Sequence, residues 1–132
     1  MKPLLMLALA GLVGASSAQE PPALSEDAQG RLDRALAGRV AEPAVSCVSQ
    51  RLLRNNSSIG ESVILFEAND GRLYVNRPPA GCPSLDRGRS LATVTPMSQL
   101  CEGDIVTIFE PVSRFQVGSC PLGEFVPWRR TG

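Results

Sequence analysis

Residues 62–76, SVILFEANDGRLYVN, carry the clearest folding signal in the chain. Two β-rich segments flank the turn residues Asn69, Asp70 and Gly71, and an Asp-Gly pair supplies the positive φ that a tight hairpin turn needs. In the second segment Leu73 and Val75 alternate with polar residues, which predicts one face toward the core and a solvated face opposite it. The stretch therefore predicts an antiparallel hairpin.

The next residues, 77-RPPAGCPSL-85, predict the end of this hairpin and the start of a loop. Prolines cannot donate backbone hydrogen bonds, so the strand ladder is expected to stop near Arg77. Cys82 lies inside the loop, and a disulfide from it would fasten the loop to the rest of the domain.

A helix is predicted before the first strand. Ser25 is a good N-cap residue with two acidic residues after it, and Leu32 and Leu36 share one helix face before Gly38. The apolar stripe is narrow, so the helix is expected to lean on the domain, with a mobile arm as the alternative.

Short β-rich segments separated by turn residues occur along the rest of the chain, and the polar stretch 51–60 is expected to be irregular. The predicted fold class is mainly β, as a small antiparallel barrel or sandwich of five to six short strands with one N-terminal helix and two disulfides. Strands are predicted at residues 44–49, 62–67, 72–76, 90–95, 105–110 and 117–120, with 122–126 as a further candidate.

The N-terminal segment has the pattern of a signal peptide. An apolar run follows Lys2, and small residues precede a predicted cleavage between Ala18 and Gln19. The run is about half the roughly 20 residues that span a bilayer, so export to the periplasm or medium is expected, without a membrane span after cleavage. The predicted division is 1–18 signal peptide, 19–42 lead-in and helix, 43–128 disulfide-stapled β domain and 129–132 tail.

The composition argues against several classes of function. Lysine and arginine together number 13, as do aspartate and glutamate, and this balance argues against nucleic-acid binding. The chain has no histidine, which excludes Ser–His and Cys–His nucleophilic pairs. No metal site or other cofactor is predicted, because the cysteines form no CxxC pair.

Four cysteines in an exported chain predict two disulfides, and four cysteines allow three pairings. We favour Cys82–Cys101, which would tie the proline-rich loop to the next strand, and Cys47–Cys120, which would tie the first strand to the last. A thiol–disulfide role for Cys82 and Cys101 is the alternative, and it would need an exposed thiolate with a lowered pKa.

A family resemblance rests on the segments around the cysteines. LYVNRPPAGCPSL, SQLCEGDIV and VGSCPLGEFVPW follow the AVSCV segment in this order. Together they resemble a family of small exported bacterial proteins classed as a domain of unknown function, over about residues 43–128. The resemblance implies an envelope location and the four-cysteine framework, and it implies no activity.

Arginines near the hairpin are the candidate binding residues. Arg72, Tyr74 and Asn76 share one strand face, and Arg77 follows them. Arginine can hold carboxylate or phosphate through two parallel hydrogen bonds, so an anionic envelope component or protein is the expected kind of partner. Further arginines occur nearby at positions 87 and 89.

No catalytic residue is assigned from the sequence. A general acid or base would have to be a carboxylate, and the candidates are Asp70, Glu102, Asp104 and Glu124. Paired carboxylates could hydrolyse a glycosidic bond, but Asp104 beside Gly103 is typical of a turn. The predicted function is a non-catalytic binding or envelope accessory module, with a carboxylate hydrolase or a thiol–disulfide protein as the alternative.

Overall fold

The computed structural model describes residue 11 and residues 22–85, 89–93 and 97–131, so the predicted cleavage site lies outside the described residues. These residues form one α-helix, one 3-10 turn and ten strands. The elements are α1 (Glu26–Leu36), β1 (Arg39–Ala41), β2 (Cys47–Ser49), the 3-10 turn (Gln50–Leu52), β3 (Leu53–Ile59), β4 (Val63–Ala68), β5 (Leu73–Asn76), β6 (Ser90–Thr93), β7 (Gln99–Cys101), β8 (Ile105–Phe109), β9 (Gln116–Pro121) and β10 (Phe125–Arg130).

The strands form three sheets whose paired strands are all antiparallel. The largest sheet has the order β1-β10-β5-β4-β3, a second pairs β2 with β7, and a third has the order β6-β8-β9. The predicted mainly β fold with one helix and two disulfides is confirmed. The described residues form a sandwich-like arrangement without a closed barrel. They contain more strands than predicted, because the sequence did not predict the three-residue strands β1 and β7 or the polar strand β3.

The predicted hairpin is confirmed as β4 and β5. Leu65 lies opposite Val75 and Phe66 lies opposite Tyr74. At the turn, the Ala68 N–H donates to the Arg72 carbonyl at 2.9 Å, and Gly71 has a φ of 90°. The Asp-Gly pair therefore supplies the left-handed backbone that closes this hairpin.

Both faces of the five-stranded sheet are covered. On one face Leu65 and Val75 pack with Leu32 of α1. On the other face Phe66 and Phe125 pack with residues of the two smaller sheets. The prediction of one solvated face on β5 is therefore wrong, because a second layer of strands covers that face.

Helix α1 packs on the sheet as expected. The Ser25 hydroxyl accepts a hydrogen bond from the Ala28 N–H at 3.1 Å, and the side chain of Leu32 is buried. The chain then enters β1, which pairs with β10. Strand β1 thus lies within the predicted lead-in segment, and β10 extends into the predicted tail.

Ser25→Ala is expected to lower the free energy of unfolding by about 1 kcal/mol, because the first turn of α1 loses its N-cap acceptor. Urea unfolding of the variant and the wild type measures the difference. Ser119→Ala, at an exposed position of β9, is the control and should change stability by less than about 0.5 kcal/mol. Equal effects of the two changes would contradict a capping role for Ser25.

The polar stretch before β4 is a strand, although the sequence predicted an irregular segment. Residues of β3 pair in register with β4 from Asn55 opposite Glu67 to Ile59 opposite Val63. Asparagine and serine are depleted in strands, but β-propensity depends strongly on context. Here the apolar strand β4 provides the pairing partner, and this pairing outweighs the local preference.

All four cysteines form disulfides, but the favoured pairing is wrong. Cys47 bonds to Cys101 and Cys82 bonds to Cys120. Cys47 and Cys101 occupy opposite positions on the paired strands β2 and β7, a long-range pairing that chain order does not reveal. Cys82 does fasten the proline-rich loop, and its anchor is β9.

The two disulfides indicate an oxidising environment, such as the periplasm or the extracellular space. Within residues 22–85, 89–93 and 97–131, no helix has the length and apolar character needed to cross a membrane.

Candidate functional site

Asn76, a candidate binding residue from the sequence, is fully buried. Its side-chain amide donates to the Gly123 carbonyl at 2.8 Å and accepts from the Gly123 N–H at 2.9 Å. A Cβ atom at Gly123 would collide with the carbonyl oxygen of Arg77, so glycine permits this close approach. Asn76 therefore holds the β9–β10 connection against β5 and is not accessible to a ligand.

Arg72 is held between two carboxylates. Its Nε atom lies 3.0 Å from a Glu42 oxygen, and one Nη atom lies 2.7 Å from an Asp70 oxygen. The hydrogen bond with Glu42 contributes most to raising the pKa of Arg72, followed by the bond with Asp70. Two acidic neighbours thus balance the positive charge that was predicted to attract a partner.

Tyr74 and Arg72 line one surface cavity of about 330 Å³ with Val45 and Leu52. The Tyr74 ring packs edge-on against Phe125 with a centroid distance of 6.5 Å, and burial raises the pKa of its hydroxyl. Arg77 is exposed and does not line this cavity. The structure therefore brings together two of the four predicted residues.

The Asp70–Arg72 contact should make stability depend on pH. The hydrogen bond from the Arg72 backbone N–H is the main cause that lowers the pKa of Asp70 in the folded protein. Because the pKa of Asp70 is lower in the folded protein, the ionised carboxylate stabilises the fold at pH values above its unfolded-state pKa of about 3.9. This stabilisation is lost as the pH falls through the folded-state pKa.

Asp70→Asn is accordingly expected to lower the free energy of unfolding at pH 7, and to lower it by a smaller amount near pH 3. Urea unfolding of both proteins at both pH values provides the comparison. If the difference in unfolding free energy between the variant and the wild type is the same at pH 7 and pH 3, the charge of Asp70 does not contribute to stability.

Three other arginines, Arg34, Arg39 and Arg130, lie together in the structure, and we call them the arginine cluster. The sequence did not predict this group. Arg39 on β1 lies directly opposite Arg130 on β10, and Arg34 is in the last turn of α1. All three line one cavity of about 470 Å³. Among the described residues, no carboxylate side chain contributes to the lining of this cavity. The Arg39 guanidinium donates to the Gly71 carbonyl at 2.7 Å and to the Trp128 carbonyl at 3.3 Å, so its position is fixed.

The arginine cluster has an excess of positive charge. Burial and then the charge of Arg130 lower the pKa of Arg39, while Glu67 raises it. Glu67 lies 3.5 Å from Arg54 in an adjoining cavity, so it is shared among several arginines. Like charges at directly opposite strand positions are destabilising, and a bound anion would relieve their repulsion.

The signal for the arginine cluster was divided between distant parts of the sequence. Arg34 and Arg39 occur near the predicted helix end, and Arg130 occurs in the predicted tail. Only the pairing of β1 with β10 brings them together. A predicted β-strand at residues 39–41 would have been the necessary clue.

Two of the candidate catalytic carboxylates have structural partners: Asp70 contacts Arg72, and Asp104 takes part in a turn. Asp104 accepts a hydrogen bond from the Cys101 N–H at 2.7 Å and closes the turn before β8. Glu102 and Glu124 are exposed, and neither lines the arginine cavity or the Tyr74 cavity. The four cysteines are all in disulfides, so none is a free thiol.

In comparisons with known proteins, the chain matches no family model, no curated protein and no solved structure. The resemblance to a family of small exported proteins stays a prediction.

Proposed function

We propose that this protein is an exported, non-catalytic binding module that holds an anionic group of an envelope component or protein at the arginine cluster. The observation that carries the proposal is the cavity lined by Arg34, Arg39 and Arg130, in which no carboxylate side chain of the described residues takes part. Arginine fits such a role because its planar guanidinium can bind carboxylate or phosphate through two parallel hydrogen bonds.

Export is supported by two independent features. The first 18 residues have the charge, apolar run and small residues of a cleaved signal peptide. The two disulfides favour an oxidising compartment, and disulfides are rare in the cytosol. We therefore place the mature chain in the periplasm or the medium.

The hydrolase and thiol–disulfide alternatives have less support. Asp104 takes part in a turn, and Cys82 is fully buried within its disulfide. A reactive thiolate needs an accessible, electropositive surrounding, which a buried disulfide lacks.

The first test measures anion binding by the mature, disulfide-bonded protein. The probes are polyphosphate and polyglutamate, which distinguish a phosphate from a carboxylate ligand. Arg130→Gln should weaken binding about tenfold or more, because a hydrogen bond to a charged group contributes about 1.5–3 kcal/mol.

Arg129→Gln is the matched control. Arg129 is adjacent to Arg130 in β10, and its side chain points to the opposite face of the strand. Its replacement by glutamine therefore removes the same charge at a different place. The affinity of the Arg129→Gln variant for the polyanions should change less than about twofold if binding is local to the arginine cluster. Equal losses for the two variants would indicate unspecific attraction and would contradict the proposed site.

Arg130→Gln should also stabilise the protein without ligand, by about 0.2–1 kcal/mol at low salt, because it removes a like-charge cross-strand pair. Thermal unfolding at low and high salt tests this, and high salt should diminish the gain. A stability loss at low salt would mean that Arg39 and Arg130 do not repel each other.

A further inference from the structure

A groove lies between the outer strands of two different sheets. Strand β3 is an outer strand of the five-stranded sheet, and β6 is an outer strand of the three-stranded sheet. Two adjoining cavities of about 250 and 300 Å³ separate them, and Asn55 and Asn56 of β3 line both cavities. Thr93 at one end of β6 lines the first cavity, and Ser90 at the other end lines the second. We call these cavities together the edge groove.

Among the described residues, no strand pairs with the outer edge of β3, although the Asn56 N–H donates to the Asn55 side chain at 2.9 Å. An outer strand presents a row of backbone N–H and C=O groups that no neighbouring strand pairs. Residues 54–57 are exposed, and β3 contains neither proline nor lysine, which commonly protect such edges. An irregularity occurs between Leu53 and Asn55, but from Asn55 to Ile59 the register with β4 is continuous.

The side chains of the edge groove fit an extended peptide. Polar residues of β3 form one wall, and apolar residues such as Ile64 and Phe66 lie beneath them. Side chains of an extended chain alternate between two faces, so one set could contact the apolar base while the other stays solvated.

The charge of the groove indicates the kind of peptide. Arg89 lines one cavity, and no carboxylate side chain of the described residues lines either cavity. Arg54 lines the other cavity, but its charge is partly balanced by Glu67 at 3.5 Å, so Arg89 carries the argument. This arrangement favours acidic side chains in the bound segment.

Gln50 provides a further hydrogen-bonding group at the first cavity. Its side-chain nitrogen is buried and has no hydrogen-bond partner among the described residues. An unsatisfied buried donor costs about 1–3 kcal/mol, so a ligand carbonyl that Gln50 could reach by rotating its amide would remove this cost.

From these features we propose that the edge groove binds an extended, acidic peptide segment, which adds to β3 as a further strand. Backbone hydrogen bonds would provide affinity, and the apolar base and arginines would select side chains, as in other strand-addition complexes. The groove is distinct from the arginine cluster because β1 and β3 are the two opposite edges of the sheet.

A free segment fits the edge groove better than a second copy of this chain. An outer strand of a second copy is attached to the other strands of its own sheet, and these would have to enter the groove together with it. Because β6 bounds the groove on its other side, a segment that has no further strands attached fits this position better than the edge of a whole sheet. The expected partner is thus a flexible segment or terminus of another protein.

The test uses labelled peptides of about eight residues, roughly the length of β3, in which glutamate alternates with valine, leucine or phenylalanine. The control peptides have the same side chains but carry N-methyl groups on alternate backbone amides, so they cannot complete a strand ladder. At least one unmodified peptide should bind below about 1 mM, and its N-methylated form should bind at least tenfold more weakly.

Binding must also be located on β3. Amide hydrogen exchange by NMR should show slower exchange at every second residue of β3, because an outer strand directs alternate N–H groups outward. Arg89→Gln should weaken binding severalfold, whereas Arg77→Gln, outside the groove, should not.

Three results would overturn the proposal. They are equal affinity of the N-methylated peptides, protection at β1 instead of β3, and no binding by any peptide at about 1 mM. Binding of a neutral oligosaccharide at β3 without peptide binding would assign the groove to a glycan instead.

Discussion

Replacing Cys82 and Cys120 together by alanine is expected to lower the free energy of unfolding by about 4 kcal/mol or more. Their sequence separation is 38 residues, and closing a loop of this length restricts the unfolded chain by roughly that amount. Small domains have total stabilities of about 5–15 kcal/mol, so the variant should lose a large share of its stability.

Burial adds to the effect of this change. Cys82 is 0% exposed and Cys120 is 3% exposed, and both belong to the core between the sheets. Removing the two sulfur atoms leaves a cavity beside Leu85 and Leu122, which the surrounding side chains fill only in part.

The matched control is Cys47→Ala with Cys101→Ala. This pair closes a longer loop, with a separation of 54 residues, but both cysteines are only partly buried. Loop entropy changes slowly with length, so the two loop contributions should be nearly equal. Urea unfolding should therefore show the larger loss for the Cys82–Cys120 variant, and the opposite order would contradict this argument.

Asn76→Ala is expected to destabilise the protein by about 3 kcal/mol. The change leaves the N–H and the C=O of Gly123 buried without their partners, and each unsatisfied group costs about 1–3 kcal/mol. Urea unfolding measures the loss. Asn55→Ala, at an exposed position of β3, should change stability by less than about 0.5 kcal/mol.

Asn76→Asp separates the two hydrogen bonds. The new carboxylate can still accept from the Gly123 N–H, but it would face the Gly123 carbonyl without a proton to donate. Burial should raise the pKa of this carboxyl in the folded state, so the variant should regain stability as pH falls through that raised value. A loss that does not depend on pH would show that the bond to the Gly123 carbonyl is unimportant.

The sequence predicted those elements whose signals are local. The β4–β5 hairpin followed from an Asp-Gly turn between two apolar segments, and α1 followed from Ser25 and the spacing of Leu32 and Leu36. Such signals need no knowledge of distant residues.

Features that depend on long-range pairing were not predictable in this way. Strand β3 is polar and owes its structure to β4, and Asn76 is buried because a second layer of strands covers β5. The disulfide partners and the arginine cluster likewise depend on which strands become neighbours. A single sequence contains the residues but not these pairings.

The cysteine connectivity determines what a protease can release from the domain. Along the chain the first cysteine bonds to the third and the second bonds to the fourth, so the two disulfide loops cross. One cut between Cys47 and Cys82 together with one cut between Cys101 and Cys120 leaves all three pieces covalently joined. The nested pairing favoured from the sequence would instead release the segment around Cys82 and Cys101 after one cut on each side of it. A domain with these crossed disulfides can therefore be cut on both sides of this segment and still remain one molecule.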